Sequence, residues 1–93
     1  MQLVLTRRAL GDLAEIQRYI ALDSPHAAAA VLDRLDGVIQ QLLTGELQGP
    51  ELRFANGRRA RRWSVPPYRI YYRRSTDQTV IVRVYHQARR PIE

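Results

Sequence analysis

The stretch "SPHAAAAVLDRLDGVIQQLLTG", Ser24–Gly45, decides how the rest of the chain is read. Ala28, Val31, Leu32, Leu35, Ile39, Leu42 and Leu43 recur at i, i+3, i+4, i+7, i+11, i+14 and i+15, which is one face of an α-helix. Ser24 is a good N-cap, and Pro25 suits the first helical position, where its missing N–H is no loss. Gly45 follows at a position where a helix ends with a left-handed residue. Upstream, Ala9, Leu13, Ile16 and Ile20 fall at i, i+4, i+7 and i+11 and predict a first helix, with Thr6 as its N-cap. Gly11 lies inside it and weakens it by about 1 kcal/mol against Ala. The break "LDSP" is short, so the two helices form an antiparallel hairpin. The run of Ala27–Ala30 lets them approach closely.

Either side of the hairpin the pattern changes. Residues 2–6, "QLVLT", read as a short strand. "GELQGPELRFANG", residues 45–57, has three Gly, one Pro and no clear period, and reads as a loop. Beyond Arg58 the period becomes two. "ARRWSV", "YRIYYRR" and "TVIVRVYH" are rich in β-branched and aromatic residues. The first of these runs stops at Val65, because Pro66 and Pro67 cannot donate to a ladder. Ser75–Gln78 makes the turn between the second and third. Tyr68, Ile70 and Tyr72 alternate with Arg69 and Arg73; Val80, Val82 and Val84 alternate with Ile81 and Arg83. The expectation is an antiparallel meander with one face on the hairpin and the other carrying Arg, partly wet. The order β-α-α-β-β-β is an α+β domain, a single one over residues 1–93.

Composition narrows the function classes. The chain has 93 residues, 45% apolar, and no cysteine, so neither a disulfide framework nor a thiolate zinc site is expected. Two His without a Cys partner leave no structural metal, and no Gly-rich phosphate loop opens a helix; no metal or cofactor is expected. Apolar stretches are too short to cross a bilayer. "MQLVLTRRAL" carries charge after a very short apolar run and lacks a small-residue cleavage pattern, so a cytoplasmic protein is the default. The net charge is +6, and all fifteen basic residues are Arg. Residues 1–45 hold four Arg against five acids, whereas residues 46–93 hold eleven Arg against four acids. The positive field therefore belongs to the C-terminal half, and its partner is a nucleic acid or an acidic protein segment.

The candidates for chemistry gather on the sheet. Arg58, Arg59, Arg61 and Arg62 approach or lie on the first run, Arg69, Arg73 and Arg74 on the second, and Arg83, Tyr85, His86, Arg89 and Arg90 on or after the third. Metal-free cleavage of RNA needs a base for the 2′-OH, an acid for the leaving oxygen and a cation for the phosphorane charge. His86 or a carboxylate would supply the first two, and Arg69 or Arg83 the third. Against this stands the plainer reading, that Arg faces outward because a strand surface needs polar groups and that His86 simply ends a strand. Trp63 shares strand parity with Val65 and is read as core, not as a platform for a base. His26, beside Pro25 at a helix start, is read as surface.

The ordered series of elements resembles the ParE branch of the RelE/ParE toxins of bacterial type II toxin–antitoxin systems. The resemblance runs over nearly the whole chain: "RRALGDLAEIQRYI" and "SPHAAAAVLDRLDGVIQQL" for the helices, "RRWSVPPYRIYYRR" and "VIVRVYHQARRP" for the sheet, and an ending His-x-x-Arg at His86–Arg89. It implies the same β-α-α-β-β-β fold. It also implies a growth-inhibiting, plasmid-stabilising toxin that binds DNA gyrase without being an enzyme. The implied target-binding residues are Arg83, Tyr85, His86, Arg89 and Arg90. It implies a ParD-like antitoxin whose flexible acidic C-terminal segment folds onto the toxin beside Arg58, Arg61, Arg69 and Arg73, giving a hetero-oligomer. The RelE-like relatives cut mRNA on the ribosome, and the YoeB type among them uses a Glu, an Arg and a terminal His-Tyr pair. Glu51, Arg69 and His86 are the matching alternative here. The chain departs from that pattern in having no Lys, in the order Tyr85-His86, and in continuing for seven residues beyond His86.

Overall fold

The structure, a computed structural model, describes residues 1–88. Strand β1 (Gln2–Leu5) leads into helix α1 (Arg7–Ala21) and helix α2 (Pro25–Thr44), followed by β2 (Glu51–Arg53), β3 (Arg59–Val65), β4 (Tyr68–Arg74) and β5 (Gln78–His86). The caps are those the sequence predicts. Thr6 Oγ1 accepts from Ala9 N at 3.1 Å, and Ser24 Oγ accepts from Ala27 N at 3.1 Å. Gly45 ends α2 at φ 84°, the left-handed conformation that glycine adopts without a Cβ penalty. Leu35, Ile39 and Leu42 of α2 are buried, each contributing roughly 1.5–3 kcal/mol over an exposed position. They meet Ala9 of α1 and the sheet residues Val65, Tyr68, Ile70, Tyr72, Ile81 and Val84 in one core. Trp63 is half-buried and packs against that core, on the side shared with Val65.

Two expectations about the sheet are corrected. The sheet has five strands in the order β1-β5-β4-β3-β2, and it is mixed. The meander β3-β4-β5 is antiparallel as predicted, but β1 lies parallel to β5, from Gln2 opposite Gln78 to Leu5 opposite Ile81. The helical hairpin carries the chain across the sheet to β2 at the far edge, and the later strands bring it back beside β1, so the parallel partners are joined by a long connection. The second correction lies in the segment read as loop. Glu51–Arg53 is a short edge strand antiparallel to β3, closed by a turn in which Phe54 N donates to Arg58 O at 2.8 Å and Gly57 stands at φ 84°. Three residues are too few to show a period in the sequence.

The segment before β2 is pinned to the sheet. Gly49 N donates to the Tyr72 hydroxyl at 2.7 Å, and Arg61 Nη1 donates to Gly49 O at 2.8 Å. A Cβ on Gly49 would stand 1.9 Å from the Arg62 carbonyl oxygen, so only glycine lets the backbones approach this closely.

A bulge resets β5. Tyr71 pairs with Arg83, yet Tyr72 pairs with Ile81, leaving Val82 as an extra residue. Strict alternation would set Val80, Val82 and Val84 together on one face. Instead Ile81 and Val84, three apart, both enter the core, and Val82 is only half-buried.

Candidate functional site

The face of the sheet away from the helices is set by the registers Ser64–Arg69–Tyr85 and Arg62–Tyr71–Arg83, since paired residues share a face. It is less wet than its arginines predict. Tyr71 lies on it and is fully buried. Phe54, arriving from the turn after β2, tilts against Tyr71 with ring centroids 6.0 Å apart, and Tyr85 meets Tyr71 edge-on at 6.3 Å. The Arg83 guanidinium then lies over the Tyr85 ring, 4.4 Å from its centroid. A row of aromatics closed by a cation thus crosses this open face.

Arg83 is fixed from the helix side as well. Beyond Leu5, α1 takes over from β1 along the outer edge of β5. Thr6 Oγ1 donates to Val82 O at 2.8 Å. Asp12 then receives three donors: Arg83 Nε at 2.8 Å, Arg83 Nη2 at 3.0 Å and Val84 N at 2.9 Å. One carboxylate therefore seals a strand edge that would otherwise offer a free N–H, and it holds the guanidinium by its fork. The hydrogen bond to Asp12 raises the Arg83 pKa above its ordinary value; burial opposes this, and the Asp12 charge and Tyr85 add to it.

Beside this pair lies a cleft of about 680 Å³. Its walls come from four places: the first turn of α1 with Arg7 and Arg8, the turn after β2 with Phe54 and Arg58, Arg73 of β4, and Arg83 with Tyr85 of β5. Five arginines line it, and no carboxylate among the described residues does. Arg7, Arg8, Arg58 and Arg73 are all exposed, and no acidic residue stands in the first turn of α1. Of the residues singled out in the sequence, the structure brings Arg58, Arg73, Arg83 and Tyr85 together here.

The others lie elsewhere. Arg69 is on the open face with its Nε buried and without a hydrogen-bond partner among the described residues. His86 pairs with Tyr68 on the helix side, meets its ring edge-on at 5.5 Å, and accepts at Nδ1 from Ala88 N at 3.0 Å. It lines a separate, mainly apolar groove of about 320 Å³ with Ile16, Tyr19, Tyr68 and Val84 and the carboxylates Asp12 and Glu15. In that groove burial, with Tyr19 nearby, raises the Tyr68 pKa. Glu51 sits on the far edge strand, 3.5 Å from Arg59 and 3.8 Å from Arg61. Glu51, Arg69 and His86 are therefore not gathered into one cluster. Arg89 and Arg90 lie outside the described residues. Another groove, of about 280 Å³, runs between the hairpin and the edge strand β1, lined by Leu3, Leu5, Leu13, Leu32 and Ile39 with Asp33 and Asp36 at its rim. Among the described residues no His, Cys, Asp and Glu stand together as a metal site, and no helix is long and apolar enough to cross a membrane.

Sequence reasoning passed over Asp12, Arg7, Arg8 and the burial of Tyr71. Signals for two of them were present. Asp12 directly precedes Leu13 on the inner stripe of α1, and Tyr71 shares strand parity with Arg69 and Arg73.

Residues 3–91 match the family model described as the ParE toxin of the type II toxin–antitoxin system, parDE. The chain belongs to the ParE toxin family. As a ParE-family chain it is a toxin of a type II toxin–antitoxin system, and a cognate antitoxin is its partner. Its fold is similar to that of a chain from the chromosomal ParDE TA system of P. aeruginosa, with a TM-score of 0.74 and 21% sequence identity over 92% of this chain and 95% of that one. A search of curated proteins gave no match. In ParE terms, the cleft is built from the start of the first helix and from the open face of the sheet.

Proposed function

We propose that this ParE-family toxin acts in the cytoplasm by binding DNA gyrase, not by catalysis, and that its antitoxin neutralises it by laying an acidic segment over the arginines of the open face. The observation that carries the first half is the placement of His86. The imidazole packs against Tyr68 on the helix side, while Arg69, Arg73 and Arg83 lie on or beside the opposite face. Cutting RNA at neutral pH needs a proton acceptor beside the cation that stabilises the phosphorane. Here the imidazole and the sheet arginines lie on opposite faces, and the carboxylate that does touch Arg83, Asp12, is already committed to three donors. The second half is supported by charge: Arg58 and Arg73 present uncompensated guanidinium groups, and an Arg fork donates two parallel hydrogen bonds to the two oxygens of one carboxylate. Arg83, Tyr85 and His86, with Arg89 and Arg90, remain the proposed target-binding set.

The test is a supercoiling assay. Antitoxin-free protein is incubated with gyrase, ATP and relaxed plasmid, and the products are resolved on a gel. The expected result is loss of supercoiling with protein-trapped cleaved plasmid, reversed by the antitoxin. Normal supercoiling by folded protein, together with cleavage of ribosome-bound mRNA that depends on Arg69 and His86, would replace this reading with that of a ribosome-dependent ribonuclease.

A further inference from the structure

We infer that the arginine cleft of the open face binds the sugar–phosphate backbone of duplex DNA directly, so that the toxin carries a nucleic-acid contact of its own. The inference goes beyond the gyrase reading and stands without it, since no gyrase enters the argument or the test.

Four arginines carry it. Arg7, Arg8, Arg58 and Arg73 come from three separate segments and converge on one cleft of about 680 Å³. All four are exposed, and none of their side chains has an ion pair or hydrogen bond among the described residues. Other arginines of the sheet are engaged. Arg83 holds Asp12, Arg61 holds Gly49 O and Glu51, Arg59 meets Glu51, and Arg74 donates to Leu42 O. Among the described residues Arg53 and Arg69 are not tied in this way but lie outside the cleft; the four cations of the cleft converge where no carboxylate lines the wall. Such a surface favours a partner with a regular row of negative charges over one with a single acid.

One feature favours phosphates as the occupant of the cleft in the antitoxin-free toxin, the state tested below. A peptide gains affinity by adding to a free strand edge or by seating apolar anchors. The cleft opens on the face of the sheet, over strands β4 and β5, and both are already paired on each side: β4 by β3 and β5, β5 by β4 and then by β1 and α1. A second feature separates duplex from single strand. Proteins that hold single strands offer free aromatic faces for bases. Here Tyr71 is fully buried, the Tyr85 ring is covered by Arg83, and Phe54, the remaining aromatic of the lining, is half-buried and tilted against Tyr71. What remains is backbone recognition without base stacking, which a duplex satisfies.

The experiment uses the purified chain and fluorescein-labelled 20-base-pair DNA, read by anisotropy over a salt series. Four neutralised phosphates give a slope of log K against log salt of about −3.6. Replacing Arg7→Gln, Arg58→Gln and Arg73→Gln together is expected to weaken binding by about tenfold or more and to flatten the slope by about 2.7. Arg18→Gln with Arg34→Gln, on exposed helix positions outside the cleft, is the control for net charge and is expected to change affinity less than about twofold. Circular dichroism melts establish that both variants fold. Equal binding by the triple variant, an equal loss in the control, tighter binding of the single strand, or binding of a polyglutamate peptide but not of duplex would each overturn the inference.

Discussion

Asp12→Ala should be the most damaging exposed-to-half-buried change in α1, and its size can be worked from the geometry. The carboxylate accepts three hydrogen bonds, two of them from a guanidinium. The Asp12 and Arg83 side chains keep only 10% and 17% of their exposure, so water replaces little of what is lost. Removing one partner of such a pair costs about 3–5 kcal/mol, because the other charge is left buried without compensation. The residual exposure argues for the lower end, about 3 kcal/mol. In a domain of this size that lowers Tm by roughly 12–24 °C. Asp12→Asn keeps one oxygen to accept from Val84 N and Arg83 Nε but sets an amide N–H against Arg83 Nη2 and removes the charge, and is expected to cost about 1–3 kcal/mol. Trp63, the one tryptophan, packs at the core and reports unfolding in a urea titration. The decisive quantity is the coupling between Asp12→Ala and Arg83→Ala in a double-mutant cycle, expected at about 2 kcal/mol. Additive effects, or a loss from Asp12→Ala below about 1 kcal/mol, would refute the claim that this carboxylate seals the β5 edge and orients Arg83.

Gly11 and Gly37 lie in helices, and a Cβ at either would meet nothing within 4 Å; Gly11→Ala with Gly37→Ala should raise stability by about 1–2 kcal/mol in the same titration. Gly49→Ala should lower it by about 2–4 kcal/mol, since the new Cβ would stand 1.9 Å from the Arg62 carbonyl oxygen and the bonds to Tyr72 and Arg61 must give way. Burial raises the Tyr68 pKa above 10.0, so above that pH the folded chain keeps a proton that the unfolded chain loses, and stability should fall as pH rises. Tyr68→Phe removes the group, and melts between pH 9 and 11 should then show a shallower fall, roughly by the share this residue contributes.

The helices were legible because their signals are local. Caps, the Pro25 start and the apolar stripe all lie within a few residues of what they determine. The meander was legible for the same reason, as its turns at Pro66-Pro67 and Ser75–Gln78 sit between its strands. The parallel pairing of β1 was not. It depends on where a hairpin of two helices returns the chain, and nothing in "QLVLT" encodes its neighbour. The bulge at Val82 was equally silent, because one unpaired residue changes every later side-chain direction without changing composition. It explains why Ile81 shares the helix side with Val84 and His86 instead of sharing the open face with Arg83 and Tyr85.

The same distinction separates the legible part of the site from the rest. Charge asymmetry places eleven of the fifteen arginines in the C-terminal half but treats them as equivalent. What sorts them is partners distant in sequence. Asp12 stands 71 residues from Arg83, and Leu42 stands 32 residues from Arg74. Each such partner converts a solvated cation into a structural tie. The arginines left free are then defined by subtraction, and two of them, Arg7 and Arg8, come from the half of the sequence whose net charge is negative. Helix α1 carries both groups: its first turn supplies the free pair, and its next turn supplies the carboxylate that fixes Arg83. Anything that shifts α1 along β5 therefore moves both sides of the cleft together. Loss of Asp12 is consequently expected to disturb the cationic cleft as well as the stability of the fold.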